Sequence, residues 1–102
     1  MNMLILKLST GEDVLTEIES ESETDYVFIN PVLIAVLQNK DGKPNVEFLA
    51  FPLHSEPKKD KTICISKKCV VYSYEPSERY VENYNKLFSS IITPAKQELI
   101  ID

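Results

Sequence analysis

The stretch from Tyr26 to Leu37, YVFINPVLIAVL, limits the possible folds more than any other part of the chain. Both alternate rows of its side chains are apolar, and it is rich in β-branched residues. That composition describes a long strand buried on both faces. Pro31 stands near its middle and has no N–H to give to a ladder. The strand must therefore bend or bulge there, or run along an edge. A chain organised around such a strand is a sheet protein whose sheet is not flat.

Flanking segments supply the partners. From Met3 to Ser9, Leu4, Leu6 and Leu8 alternate with Ile5, Lys7 and Ser9, the period of a half-buried strand. Ser9-Thr10-Gly11-Glu12 has turn chemistry, with Gly11 free to take positive φ, so the next strand folds straight back. Val14 to Glu23 keeps the period of two. Alternation puts Glu17, Glu19, Glu21 and Glu23 on one side, with Thr16, Ile18, Ser20 and Ser22 on the other. Only the first half of this segment can face a core; the second half runs into solvent. Asn39 to Pro44 is the strongest turn in the chain, Val46 to Leu53 is a further strand ending near Pro52, and His54 to Lys61 is a polar loop. Thr62 to Ile65 and Cys69 to Tyr74 have strong strand propensity, separated by Ser66-Lys67-Lys68, which suits a tight connection or sharp bend.

The period changes after Glu75-Pro76. Tyr80, Val81, Tyr84, Leu87, Phe88, Ile91 and Ile92 form one stripe of an amphipathic helix over Ser77 to Ile92. Ser77 suits the N-cap and Glu78 the first turn. Thr93-Pro94 ends the helix, and the remaining tail reads equally as a short helix or a final strand. The expected fold is mainly β, a small and strongly bent antiparallel barrel of five or six strands with a C-terminal α-helix. One domain accounts for residues 1–102, with the barrel over about 3–75, the helix over about 77–92 and a short tail over 93–102.

Charge is distributed unevenly. The net charge of −5 argues against a protein that coats nucleic acid through bulk charge. Residues 12–25 nevertheless carry seven acids and no base, and residues 58–68 carry five lysines and one acid. These are two solvated faces of opposite sign, or the two poles of a polarised molecule. No apolar run approaches the ~20 residues that span a bilayer, so no membrane partner is expected. MNMLILKLS lacks a charged n-region and a cleavage site, and with only two cysteines the chain reads as a protein of a reducing cytoplasm.

Chemistry-bearing groups are few. Cys64, Cys69 and His54 are the soft ligands of the chain, one short of a structural zinc set, so no metal is expected. The two cysteines read as buried thiols that pack as small hydrophobes. His54 sits in a polar loop with no local nucleophile–base pattern, and two glycines in all cannot make a phosphate-binding loop. Neither cofactor nor enzymatic activity is expected. Among the tyrosines, Tyr80 and Tyr84 belong to the helix stripe, Tyr72 and Tyr74 share a strand face suited to core or interface, and Tyr26 is the one freest to stack on a base.

Two segments carry a family resemblance. LILKLSTGEDVLTEI resembles the first hairpin of Sm-like (LSm) domains, with Leu8, Gly11 and Val14 on the L-x-x-G-x-x-V turn signature. TICISKKCVVYSY resembles the second Sm motif, a hydrophobic strand, a polar turn and a V-V-Y-type closing strand. With INP, the Asp41-Gly42 turn, AFPL, VYSYEP and ENYNKL, the run is similar to small Sm-like proteins of tailed phages, cyanophages especially. The resemblance covers about residues 3–75 and implies an Sm-like/SH3-like barrel. It departs from the family in placing its helix after the barrel and in carrying residues 46–61 as an insertion or extra strand.

The resemblance also implies a function. Sm-like subunits form rings, so this chain is expected to partner itself in a homo-oligomeric ring. Its last strand, Cys69, Val70, Val71, Tyr72, Ser73 and Tyr74, would form the subunit interface. The family's stacking residue falls on Tyr26, while the Asn that accompanies it has no counterpart in Thr24-Asp25-Tyr26. The family's Arg-Gly falls on Ser66-Lys67. Binding of single-stranded RNA is thus expected at Tyr26, Ser66, Lys67 and Lys68. The alternative is a ring that acts as a scaffold or protein-interaction module without nucleic acid, its lysines serving solubility alone.

Overall fold

The computed structural model describes residues 2–56 and 58–89. It is a mainly β structure, six antiparallel strands in one sheet followed by one helix. The strands are β1 (Asn2–Leu8), β2 (Asp13–Glu21), β3 (Asp25–Gln38), β4 (Pro44–Ala50), β5 (Thr62–Ser66) and β6 (Val70–Tyr74), and the helix is α1 (Glu78–Ser89). A 3-10 turn, Lys67–Cys69, joins β5 to β6. The expected end of α1 at Ile92 and the expectations for the tail lie outside the described residues.

β3 is the organising strand. Along one side it pairs with β2. Along the other it pairs first with β5, over Asp25–Ile29, and then with β4, over Val32–Gln38. β1 lies between β2 and β6. The change of partner along β3 coincides with the proline. Leu15 faces Val32 and Glu17 faces Ile29, so Thr16 alone stands opposite the two residues Asn30 and Pro31. This is a β-bulge, and it bends the strand. Asn30 has φ 55, the left-handed region that Asn tolerates better than most residues. The bulge also inverts alternation. Tyr26 and Phe28 point to one core before it, and Leu33 points to that same core after it.

A strand bent in this way gives the sheet two packed faces. On the inner face Leu6, Leu8, Val14, Ile18, Phe28 and Phe51 are buried together, with Ile63, Ile65 and Val70 of β5 and β6 against them. On the outer face Ile5, Leu15, Val32 and Phe48 receive Tyr84, Leu87 and Phe88 of α1, with Tyr80 packed alongside. Tyr80, Tyr84, Leu87 and Phe88 of the stripe read from the sequence thus dock, while Ile91 and Ile92 lie outside the described residues. Burying a Leu or Phe side chain contributes about 1.5–3 kcal/mol. The bulge carbonyls are satisfied from both sides. The Thr16 hydroxyl, fully buried, reaches the Ile29 carbonyl at 3.0 Å and the Glu17 carbonyl at 2.9 Å. The Tyr84 hydroxyl donates to the Asn30 carbonyl at 2.8 Å.

Four expectations need correction. The far end of β3 is not buried on both faces, since Val36 and Leu37 are 65% and 46% exposed. β4 ends at Ala50, ahead of Leu53, where Phe51-Pro52 opens a turn. The four glutamates do not share one side. A second bulge at Glu19 leaves Ile18 opposite Phe28 but Glu21 opposite Tyr26, so Glu21 lies on the row of Ile18 and leaves the row of Glu17. The cysteines are exposed rather than buried. Cys64 takes the outward position between inward-facing Ile63 and Ile65, and Cys69 lies in the 3-10 turn.

Candidate nucleic-acid interface

Tyr26 and the Ser66–Lys67–Lys68 turn are far apart in sequence and adjacent in the fold. The antiparallel pairing of β3 and β5 places Tyr26 beside Ile65 and Asp25 beside Ser66. The Lys67 N–H donates to the Thr24 carbonyl at 2.8 Å, which holds the turn against the start of β3. Ser66 accepts the Lys68 N–H on its hydroxyl at 3.2 Å and caps the 3-10 turn. Such local capping is what short hydroxyl side chains favour.

The Lys67 ammonium sits 5.0 Å from the centre of the Tyr26 ring, within cation–π range. It also lies 2.6 Å from a carboxylate oxygen of Glu21. The bulge at Glu19 is what brings Glu21 to this position. Tyr26 is half-buried, with its ring 6.1 Å from that of Phe28 and packed against the inner core. Lys68 is exposed. The site is therefore an anchored aromatic ring, a cation above it already paired with an acid, and a second cation beside it.

The basic stretch 58–68 is more divided than its composition suggests. Lys61 is half-buried and donates to the Ser55 hydroxyl at 2.6 Å. Burial, with Lys58 nearby, holds its ammonium below the usual lysine range. Lys58, Lys59 and Lys68 are exposed, and Lys67 is paired with Glu21. Sequence reasoning missed Glu21 because its contribution depends on a one-residue slip in β2. The only available signal was the weak strand pattern of Glu19–Glu23.

β6 has β1 on one side, and β5 has β3 on one side; neither has a second strand partner among the described residues. Val71, Tyr72 and Tyr74 are 60%, 52% and 48% exposed. Val70, by contrast, packs on the inner core. Tyr72 and Tyr74 stand opposite Lys7 and Ile5 with their ring centres 6.0 Å apart. Partial burial and the nearby Asp13 raise the Tyr74 phenol above its ordinary range. Cys69 and Ser73 are also exposed. No group of three or more metal-ligating side chains occurs among the described residues, and His54 lies exposed in its loop. No helix among the described residues is long and apolar enough to cross a membrane. Comparison of the chain with protein-family models and with curated proteins finds no match.

Proposed function

We propose that the chain is a ring-forming Sm-like subunit of the cytoplasm that binds single-stranded RNA at Tyr26, Lys67 and Lys68. The observation that carries this reading is the convergence of Tyr26 with the Lys67–Lys68 turn, which joins two strands that have no second strand partner among the described residues. β5 and β6 each present five residues, and antiparallel pairing of one copy's β6 with the next copy's β5 satisfies both edges. Repetition around a ring sets the turns in a circle, and a circle of lysines attracts phosphate locally even on an acidic chain. Lysine ammoniums reach phosphates but discriminate bases poorly, so binding is weak, sequence-tolerant and steeply salt-dependent.

The competing reading is a ring that serves as a scaffold. One observation favours it: Glu21 pairs with Lys67 within the subunit, leaving Lys68 as the cation of the turn that has no ion pair among the described residues. Titration of a short uridine oligomer against the parent and Lys67→Ala/Lys68→Ala proteins separates the two. Binding at low salt that is lost in the double variant supports the RNA reading. Absence of binding by the parent, or equal binding by both, leaves the scaffold.

A further inference from the structure

On the helix side of the sheet, the kink in β3 opens a cleft of about 450 Å³, lined by Glu17, Asn30, Lys59, Tyr84, Asn85 and Phe88 among others. The volume is in the range of small-molecule sites. Its most informative residue is Asn30. The side chain is buried, with the residue 7% exposed, and its Oδ1 accepts the Asp60 N–H at 2.6 Å. That bond fixes the amide orientation and leaves both Nδ2 hydrogens without a partner among the described residues. A buried donor left unpaired is costly, so such a group calls for an acceptor. The Tyr84 hydroxyl donates to the backbone carbonyl of Asn30 and makes no hydrogen bond with its side-chain amide.

The same cleft is lined by an acidic side chain, Glu17. Glu17 stands across from Ile29 on the neighbouring strand, and its half-buried carboxylate has no hydrogen bond or ion pair among the described residues. Phe88 and Ile29 give the cleft apolar and aromatic wall, and Lys59 puts a cation on its lining. This lining suits a small, flat ligand with one acceptor for Asn30, paired donors for Glu17, an apolar edge toward Phe88 and an anion for Lys59.

We propose that this cleft binds a guanine nucleotide. Among the neutral bases, guanine alone presents two parallel N–H groups, N1–H and N2–H, on the edge that also bears a carbonyl, O6. A carboxylate takes both N–H groups at once, and an amide N–H meets O6. Adenine and cytosine set a ring acceptor where the carboxylate needs a donor, and uracil offers a single N–H. The Glu17 carboxylate thus reads the base, the Asn30 amide completes the edge, and Lys59 meets the phosphate. The site is separate from the Tyr26–Lys67 pair and does not rest on the RNA reading given above.

The test is titration of the protein with GMP, AMP, CMP and UMP, followed by NMR. Saturable GMP binding at least tenfold tighter than the other three is expected, with shifts at Glu17, Asn30 and Phe88. Glu17→Gln should lose at least tenfold in GMP affinity while its melting temperature is unchanged. Asn30→Asp, which keeps the acceptor for Asp60 and removes the donors, should lose a similar factor. Guanosine should compete with GMP. A trinucleotide ApGpA that binds tighter than GMP identifies an RNA base as the source, and one that binds weaker identifies the free nucleotide; both support the site. Equal binding of all four nucleotides, no saturation at millimolar GMP, or undiminished affinity in Glu17→Gln overturns it.

Discussion

Tyr84 of α1 donates its phenolic proton to the backbone carbonyl of Asn30 at 2.8 Å, fastening the helix to the point where β3 kinks. The same oxygen lies 3.3 Å from the Ile29 carbonyl, so one hydroxyl serves both sides of the bulge. Tyr84→Phe removes the donor to the buried Asn30 carbonyl, while the Ile29 carbonyl keeps the Thr16 hydroxyl. A loss of about 1–3 kcal/mol in denaturant unfolding is expected.

The same contact sets an alkaline limit. Burial, with Glu17 nearby, raises the Tyr84 phenol well above its ordinary value. The folded state therefore holds this proton more tightly than the unfolded chain does. Its contribution is complete below pH ~10, where the unfolded tyrosine is still protonated, and declines as pH rises above that value. Unfolding curves between pH 8 and pH 11 should show the parent losing stability at the alkaline end more steeply than Tyr84→Phe.

Leu87 and Phe88 seal the outer core together with Ile5, Leu15 and Val32. Leu87→Ala or Phe88→Ala should cost about 2–5 kcal/mol, the usual loss for a large-to-small change in a packed core. Thermal unfolding measures it, and unchanged midpoints in both variants would mean that the helix contributes little to the fold.

Glu21 provides a test that acts in the opposite direction from alanine scanning of the lysines. Glu21→Gln keeps the shape and frees the Lys67 ammonium from its 2.6 Å partner. If RNA binds at this turn, affinity for a uridine oligomer should rise by about fivefold, the equivalent of roughly 1 kcal/mol. The gain should vanish at high salt. An unchanged affinity would separate RNA binding from Lys67.

The outer edge of β6 is tested with one charge. Val71 is exposed and lies at the register shift where β6 meets β1, so Val71→Lys should change the subunit's own stability by less than about 0.5 kcal/mol. A lysine on an edge strand opposes pairing with another chain. Light scattering should find an oligomeric parent and a dissociated variant. A parent that remains a monomer at micromolar concentration would refute the ring.

The architecture was legible because it rests on side-chain periods and on proline. Pro31 marked the bend, the alternation of Leu4, Leu6 and Leu8 marked β1, and the stripe from Tyr80 to Phe88 marked the docking face of α1. Bulges were less legible, because a slip of one residue leaves composition unchanged while exchanging the faces. That is why Glu21 was assigned to the wrong row. The cysteines are a related case: residue type favours burial, but position decides it, an outward place on β5 for Cys64 and the 3-10 turn for Cys69. The Tyr26–Lys67 contact follows from the β3–β5 register, which no local pattern encodes.

β1 is bracketed by β2, its neighbour in sequence, and by β6, whose residues come near the end of the sheet. During translation, the first strand is therefore completed long before its second partner exists. At ~5–20 residues per second, the β1–β2 hairpin spends several seconds with one long edge open. Lys7, which stands between Asp13 on one strand and Tyr72 on the other, puts a charge on that waiting edge. Edge lysines discourage pairing with foreign strands. Lys7 thus places a charge on the edge of β1 throughout the interval before Tyr72 is made.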